Sequence, residues 1–271
     1  MNQVKSATCP THGDFESTLL RSHKVLGDSW SECEQCAAER EKRIRTQEIE
    51  RERKRAAEAR QQRLAAAEIP PRFRGKTFDD YRAASPAQER ILSIARDYAA
   101  NFEDAHKAGR CLLFSGKVGA GKTHLACAIL QAIIETPLTP VEGWERRRWY
   151  PVRYSSASEL IRTIRETWHS NTSESAAIAK FVAPDLLVID EVGLQFGSEA
   201  ERNQLTEILD KRYQRILPTI IVSNVAKEAL PKYLGERAVD RLRENGGLVA
   251  VFDWESHRGE RAGTGVNTHG K

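Results

Sequence analysis

The sequence predicts an α/β fold, a five-stranded parallel sheet covered by helices on both faces, with a phosphate-binding loop at one strand end. Three features predict it. Five near-continuous apolar runs, CLLFSG (111–116), VRYSS (152–156), LLVID (186–190), TIIVSN (219–224) and LVAVF (248–252), alternate with helical sequence, the pattern of strands buried on both faces. The first run leads into Gly116-Lys117-Val118-Gly119-Ala120-Gly121-Lys122-Thr123, which matches GxxxxGK[ST] in full. The third ends in the acid pair Asp190-Glu191.

At 271 residues the chain is long enough for one such domain and a smaller appendage. Hydrophobic residues make up 40% and charged residues 30%, and no run approaches the roughly 18–20 apolar residues of a membrane span. No signal peptide opens the sequence, so the expectation is a cytoplasmic protein without membrane contact. A net charge of +4 permits nucleic-acid binding without arguing for it. The local distribution of Arg and Lys must carry that case.

Residues 1–36 are turn-rich and contain Cys9-Pro10-Thr11-His12 and Cys33-Glu34-Gln35-Cys36, two pairs with two-residue spacers. Such a spacer lets both side chains of a pair reach one ion from a tight turn. Two pairs close a tetrahedral site to water, which predicts structural Zn²⁺ on Cys9, His12, Cys33 and Cys36. A metal also accounts for the folding of a module with few large apolar residues beyond Phe15 and Trp30. A redox Cys-x-x-Cys and a histidine without a role are the alternatives. Cys111 and Cys127 sit inside apolar stretches and read as small buried hydrophobes.

From 37 to 68 the sequence is almost wholly Ala, Glu, Arg, Lys and Gln, without Gly or Pro, which predicts an exposed charged helix. Ile69-Pro70-Pro71 stops it, because proline disfavours the helical conformation in the residue before it. Its intermixed charges read as a solvated face; joining two modules, it is also a candidate spacer or docking element. Residues 69–108 lead into the core, with a helix from Pro86 to about Asn101. The core runs from 109 to 258, and the Gly- and Thr-rich tail, 259–271, is expected to be disordered.

The phosphate loop has a mechanical meaning. Its glycines let the backbone wrap a phosphate with N–H groups pointing inward, and the following helix, from Gly121 to about Glu135, offers its positive end. Lys122 is expected to reach the β- and γ-phosphates of ATP and Thr123 to ligate Mg²⁺. Asp190 is expected to hold the same Mg²⁺ and Glu191 to polarise the attacking water. Asn224, closing the fourth strand, is placed to orient that water or is a turn residue. Arg237 and Arg241 are four apart on a short helix and share a face, and Arg258 follows the last strand. Each is either an arginine aimed at a γ-phosphate or part of a solvated basic surface.

The stretches TFDDY, GKVGAGKTHLACAI, DLLVIDEVG and LGERAVDRLRENGGLVAVFDWESHR make residues 70–258 resemble the bacterial helicase loaders of the DnaC type and the related transposition helpers of the IstB type. The resemblance implies an AAA+ core. It implies that Asn224 is the sensor-1 residue and that Arg241, with Arg237 beside it, contacts a neighbouring subunit's nucleotide. Arg258 becomes the sensor-2 residue, reading the subunit's own γ-phosphate. A finger supplied by a neighbour implies self-association.

In that family the helical region between the second and third strands contacts single-stranded DNA, which points to Arg165 and Trp168. Trp168 also closes the run Leu160, Ile161, Ile164, so burial in the core is the competing reading. Two further aromatic-basic patches are Arg72/Phe73/Arg74/Lys76/Phe78 and the segment Arg146–Tyr150. The cysteine-bearing N-terminus and the extra segment 137–151 depart from the best-known loaders, and at the N-terminus the chain is similar to loader-like proteins of phages and prophages. The function implied is an ATP-dependent loader of a replicative ring helicase onto single-stranded DNA. The rival is a transposition helper that binds duplex DNA and recruits a transposase.

Overall fold

The computed structural model describes residues 3–23, 27–136, 149–169, 173–193 and 199–256. The chain divides into two compact units, Met1–Ala59 and Arg60–Lys271.

The first unit opens with three strands, β1 (Val4–Cys9), β2 (Gly13–His23) and β3 (Gly27–Trp30), paired antiparallel in that order. Gly13 has φ 82°, a left-handed conformation that lets the chain reverse from Cys9 into β2. The sequence predicts turns here, and the reason it misses the strands is physical. Nearly all of β1 and β3 is exposed, so no alternation of apolar and polar residues marks them. The helix α1 (Glu34–Ala66) follows and has no buried residue, as its charged composition predicts.

In the second unit Leu64, Ala67 and Ile69 join the apolar core. Then come α2 (Pro86–Ala100), α3 (Phe102–Ala108), β4 (Leu112–Gly116), α4 (Lys122–Glu135), β5 (Val152–Ser156), α5 (Ala157–Glu166) and α6 (Glu174–Val182). The remainder is β6 (Leu186–Val192), α7 (Glu199–Gln214), β7 (Thr219–Ser223), α8 (Leu230–Leu234), α9 (Glu236–Arg243) and β8 (Leu248–Phe252). Ser85 caps α2 and Ser156 caps α5, each hydroxyl accepting a backbone N–H of the first turn.

The five strands pair parallel in the order β5-β6-β7-β4-β8. Side chains alternate between two cores, as the pleat requires. Leu112, Phe114, Val188, Ile220 and Val222 face one, beneath α2 and α4. Leu113, Leu187, Ile189 and Ile221 face the other, beneath α5 to α9. The connection after β4 crosses to the far edge, and the chain returns through β6 and β7 before adding β8 on the other side. The ends of β4, β7 and β6 therefore open onto one crevice, where parallel sheets hold ligands.

One buried charge organises the opposite end. Arg212 is 0% exposed and donates to the carbonyls of Phe181, Val182, Pro184 and Pro218 and to the Thr219 hydroxyl. Burial pushes its guanidinium down to about 10, and the five acceptors tie the end of α6 to the start of β7. Among the described residues no helix is long and apolar enough to cross a membrane.

Candidate functional site

The phosphate loop joins β4 to α4 at the mouth of the crevice. Gly116 has φ 134° and Gly121 φ 95°. A Cβ on Gly116 would run into the backbone carbonyl of Phe252, and one on Gly121 would press 2.5 Å from the Tyr81 ring. The loop is thus packed against β8 and the lead-in segment, and only glycine fits those places. The Ala120 carbonyl accepts from the Trp254 indole at 3.0 Å and the Tyr81 hydroxyl at 3.4 Å, so two aromatic residues outside the loop fix its shape. Lys122 is 4% exposed, and its ammonium donates to the loop's own carbonyls at Gly116 (2.8 Å) and Lys117 (2.6 Å).

Across the crevice Asp190 is 4% exposed. Its Oδ2 accepts from the Thr123 hydroxyl at 2.8 Å and the Tyr154 hydroxyl at 2.9 Å, and its Oδ1 from the Glu191 N–H at 2.7 Å. Burial, and next the charge of Asp190, push the Tyr154 hydroxyl well above its ordinary range, so it remains a donor. Glu191 sits in a bulge between Ile189 and Val192 with φ 60°. This left-handed geometry is costly for a residue with a side chain and concentrates at functional sites. It turns Glu191 out to solvent while Asp190 stays inside. A buried carboxylate beside a hydroxyl is an all-oxygen set of the kind Mg²⁺ takes.

Asn224 is the residue after β7, the strand between β4 and β6. The Ser115 hydroxyl donates to the Val225 carbonyl (2.7 Å) and the Ser223 hydroxyl to the Val192 carbonyl (2.5 Å). Asn224 is therefore held between the phosphate loop and the acid pair. Arg241 lies elsewhere. It forms an ion pair with Asp210, its guanidinium sits 4.6 Å from the centre of the Tyr213 ring, and it lines a cavity with Cys111 and Thr219, at the strand starts. The loop is at the strand ends, so five residues of β4, about 16 Å, separate the two edges. Arg237 is exposed on the same helix. Arg258 and the tail lie outside the described residues.

Arg165 and Trp168 come together on one groove with Arg162 and Glu201, and Arg165 pairs with Glu201 at 2.6 Å. Trp168 is 58% exposed, so the core reading of that residue fails. Leu160, Ile161 and Ile164 do point inward, but α5 ends at Glu166 and a tighter 3₁₀ turn over Thr167–His169 breaks the helical period. In the first alternative patch Phe73 and Phe78 pack against the core, Arg74 donates to the Ile69 carbonyl and Lys76 pairs with Asp80. Of the second, residues 137–148 lie outside the described residues. Tyr150 packs on Phe102 and His106, while Trp149 is exposed.

In the first unit Cys9, His12, Cys33 and Cys36 present ligand atoms that all lie within 4.8 Å of one another. The His12 Nδ1 is 3.3 Å from the Cys36 sulfur and 3.7 Å from those of Cys9 and Cys33, and the Cys9 and Cys36 sulfurs are 3.4 Å apart. A tetrahedral ion with Zn–S of about 2.3 Å and Zn–N of about 2.0 Å spans edges of about 3.5–3.8 Å, so the four atoms fit Zn²⁺. Backbone N–H groups of Thr11 and His12 hold the Cys9 thiol down to about 6, favouring the thiolate a metal takes. The other His12 nitrogen, Nε2, lies 3.3 Å from Glu39 on α1, the carboxylate–histidine arrangement that orients metal ligands. Sequence reading missed Glu39, Tyr81, Tyr154 and Trp254. Tyr81 and Trp254 stand in the stretches TFDDY and VFDWE, and Tyr154 is the aromatic residue of the half-buried strand VRYSS, but no spacing ties any of them to the loop.

The family of IstB-like ATP binding proteins matches residues 29–245. The replicative helicase loader DnaC of Escherichia coli (strain K12) is 33% identical over 221 residues, 81% of this chain and 83% of that protein. The crystal structure of the DnaC helicase loader is 25% identical with a TM-score of 0.58, covering 68% of this chain and 100% of that one. AMPPCP-bound DnaA from Aquifex aeolicus is 20% identical with a TM-score of 0.53, covering 69% of this chain and 52% of that one, a likeness of fold alone.

Proposed function

Because the chain belongs to the IstB-like ATP-binding protein family and carries an AAA+ core, we propose that it is an ATP-dependent loader of a replicative ring helicase onto single-stranded DNA. The observation that carries this reading is the match to a helicase loader over 81% of the chain, around a crevice in which Thr123 and Asp190 meet at 2.8 Å.

In this reading Gly116 to Thr123 cradle the phosphates of ATP, and Lys122 leaves the loop carbonyls for the β- and γ-phosphates. Thr123 and Asp190 hold Mg²⁺, which neutralises charge on the phosphates when bound. Glu191 takes a proton from the attacking water and Asn224 orients it. Arg241, with Arg237 beside it, serves the nucleotide of a neighbouring copy, which suits its place on the edge away from its own loop. Arg258 reads the γ-phosphate of its own subunit. Arg165 tracks the DNA backbone while Trp168 stacks on a base. The module 1–36, closed by Zn²⁺, and the charged helix 37–68 dock on the helicase.

Pull-down of a candidate ring helicase, in ATP and in ADP, tests the reading with the full chain and a version lacking residues 1–59. Leu64, Ala67 and Ile69 belong to the core, so the cut falls before them. Capture by the full chain and not by the shortened one is expected. The family match also favours a second reading, a transposition helper. No capture in either nucleotide, with tight duplex binding, would replace the first reading by that one.

A further inference from the structure

A buried carboxylate needs donors, and among the described residues Asp190 has three: the Glu191 N–H, the Thr123 hydroxyl and the Tyr154 hydroxyl. The first is set by the bulge, and the second belongs to the phosphate loop. Tyr154 belongs to neither motif, yet it contributes a hydrogen bond of 2.9 Å beside the 2.8 Å of Thr123.

Its own placement is firm. On β5 Tyr154 is opposite Val188 and Ser156 is opposite Asp190, so Tyr154 reaches Asp190 along the diagonal of the pair, a span of about 7–8 Å that an aromatic side chain bridges. β5 is the edge strand of the sheet, but its outer side is occupied. The Tyr154 N–H donates to the Ala67 carbonyl at 2.8 Å, and Arg153 pairs with Glu68 at 2.5 Å. The ring packs against the core beneath α4.

We propose that Tyr154 is a positioning residue for the Mg²⁺-binding carboxylate, its hydroxyl setting the angle at which Asp190 faces the crevice. The inference rests on the reading of Thr123 and Asp190 as the Mg²⁺ site. When Thr123 turns its oxygen to an ion, Tyr154 is the side-chain donor left on Oδ2. Without it, among the described residues the donor that remains to Asp190 is a backbone N–H on its other oxygen.

Tyr154→Phe keeps the ring and removes one oxygen. ATP hydrolysis is measured against Mg²⁺ concentration for wild type and Y154F, with binding of a fluorescent ATP analogue in EDTA and thermal midpoints as controls. Half-saturating Mg²⁺ is expected to rise about tenfold, the lower end of what losing an outer-shell partner costs. At saturating Mg²⁺ the rate returns to within about twofold of wild type, binding of the analogue in EDTA stays unchanged, and the thermal midpoint falls by no more than about 2–4 °C, the cost of one buried hydrogen bond. An unshifted Mg²⁺ requirement, with the rate either intact or depressed throughout, overturns the proposal. A wild-type rate indifferent to Mg²⁺ removes the metal reading itself, and Tyr154's role with it.

Discussion

Thr123 and Asp190, 67 residues apart in sequence, meet through a 2.8 Å hydrogen bond across the end of the sheet. One lies in the first turn of the helix after β4 and the other near the end of β6. Two strands that are not neighbours thus bring a hydroxyl and a carboxylate to one point beside the glycine-rich loop. In the proposed reading that convergence makes the crevice a nucleotide site.

The N-terminal cluster predicts a metal content. Purified protein is expected to hold about one zinc per chain, and Cys36→Ser or a chelator should release it and melt the three-stranded sheet while nucleotide binding persists. Glu39→Gln should weaken zinc about 10–100-fold without removing a ligand. Metal analysis together with amide exchange of β1–β3 checks this; a metal-free protein with an intact small sheet contradicts it.

Arg241 is paired with Asp210 on its own subunit and lies on the edge away from its own loop, so its catalytic use requires a neighbour. Arg241→Ala and Lys122→Ala should each lower hydrolysis at least 100-fold, in keeping with the roughly 10³–10⁵-fold effects of such arginines. Mixing the two should restore part of the rate, because an intact loop then meets an intact arginine. Steady-state hydrolysis of the mixture decides it; no recovery at any ratio would place the arginine's action within one subunit.

Trp168→Ala should weaken single-strand binding by about 1–3 kcal/mol, the worth of one stacked base, and Arg165→Ala should lower the salt dependence of binding. Fluorescence anisotropy on a labelled oligonucleotide at two salt concentrations measures both. Equal affinity of Trp168→Ala and wild type would exclude this groove.

Arg212→Leu leaves four buried carbonyls without their donor. Each orphaned group costs about 1–3 kcal/mol, offset by relaxation, so a net loss of about 3 kcal/mol is expected. For a unit of this size that lowers the melting temperature by about 6–12 °C. Arg212→Lys should not rescue it, because one ammonium cannot span acceptors on both stretches, 181–184 and 218–219. A melting temperature within a degree of wild type would show the cage to be replaceable.

The sheet was legible because its inner strands β4, β6 and β7 are buried on both faces, so unbroken apolar runs such as Leu186–Ile189 mark them within a residue or two. The phosphate loop and the cluster of Cys9, His12, Cys33 and Cys36 were legible because in both the spacing is itself the chemistry. The small N-terminal sheet was not, since strands exposed on both faces leave no periodic trace. The exposure of Trp168 was hidden by a change from α to 3₁₀ winding that composition does not signal. Tyr81 and Trp254 reach the loop from segments 39 and 134 residues away, and contacts at such range are fixed only by the completed fold.

The most direct test of the account is helicase loading on single-stranded circular DNA, scored by displacement of an annealed strand. Wild-type protein with ATP should stimulate displacement by the ring helicase, and Lys122→Ala should not. Displacement no greater with the protein than without it, alongside tight and ATP-dependent duplex binding, would contradict the loader assignment.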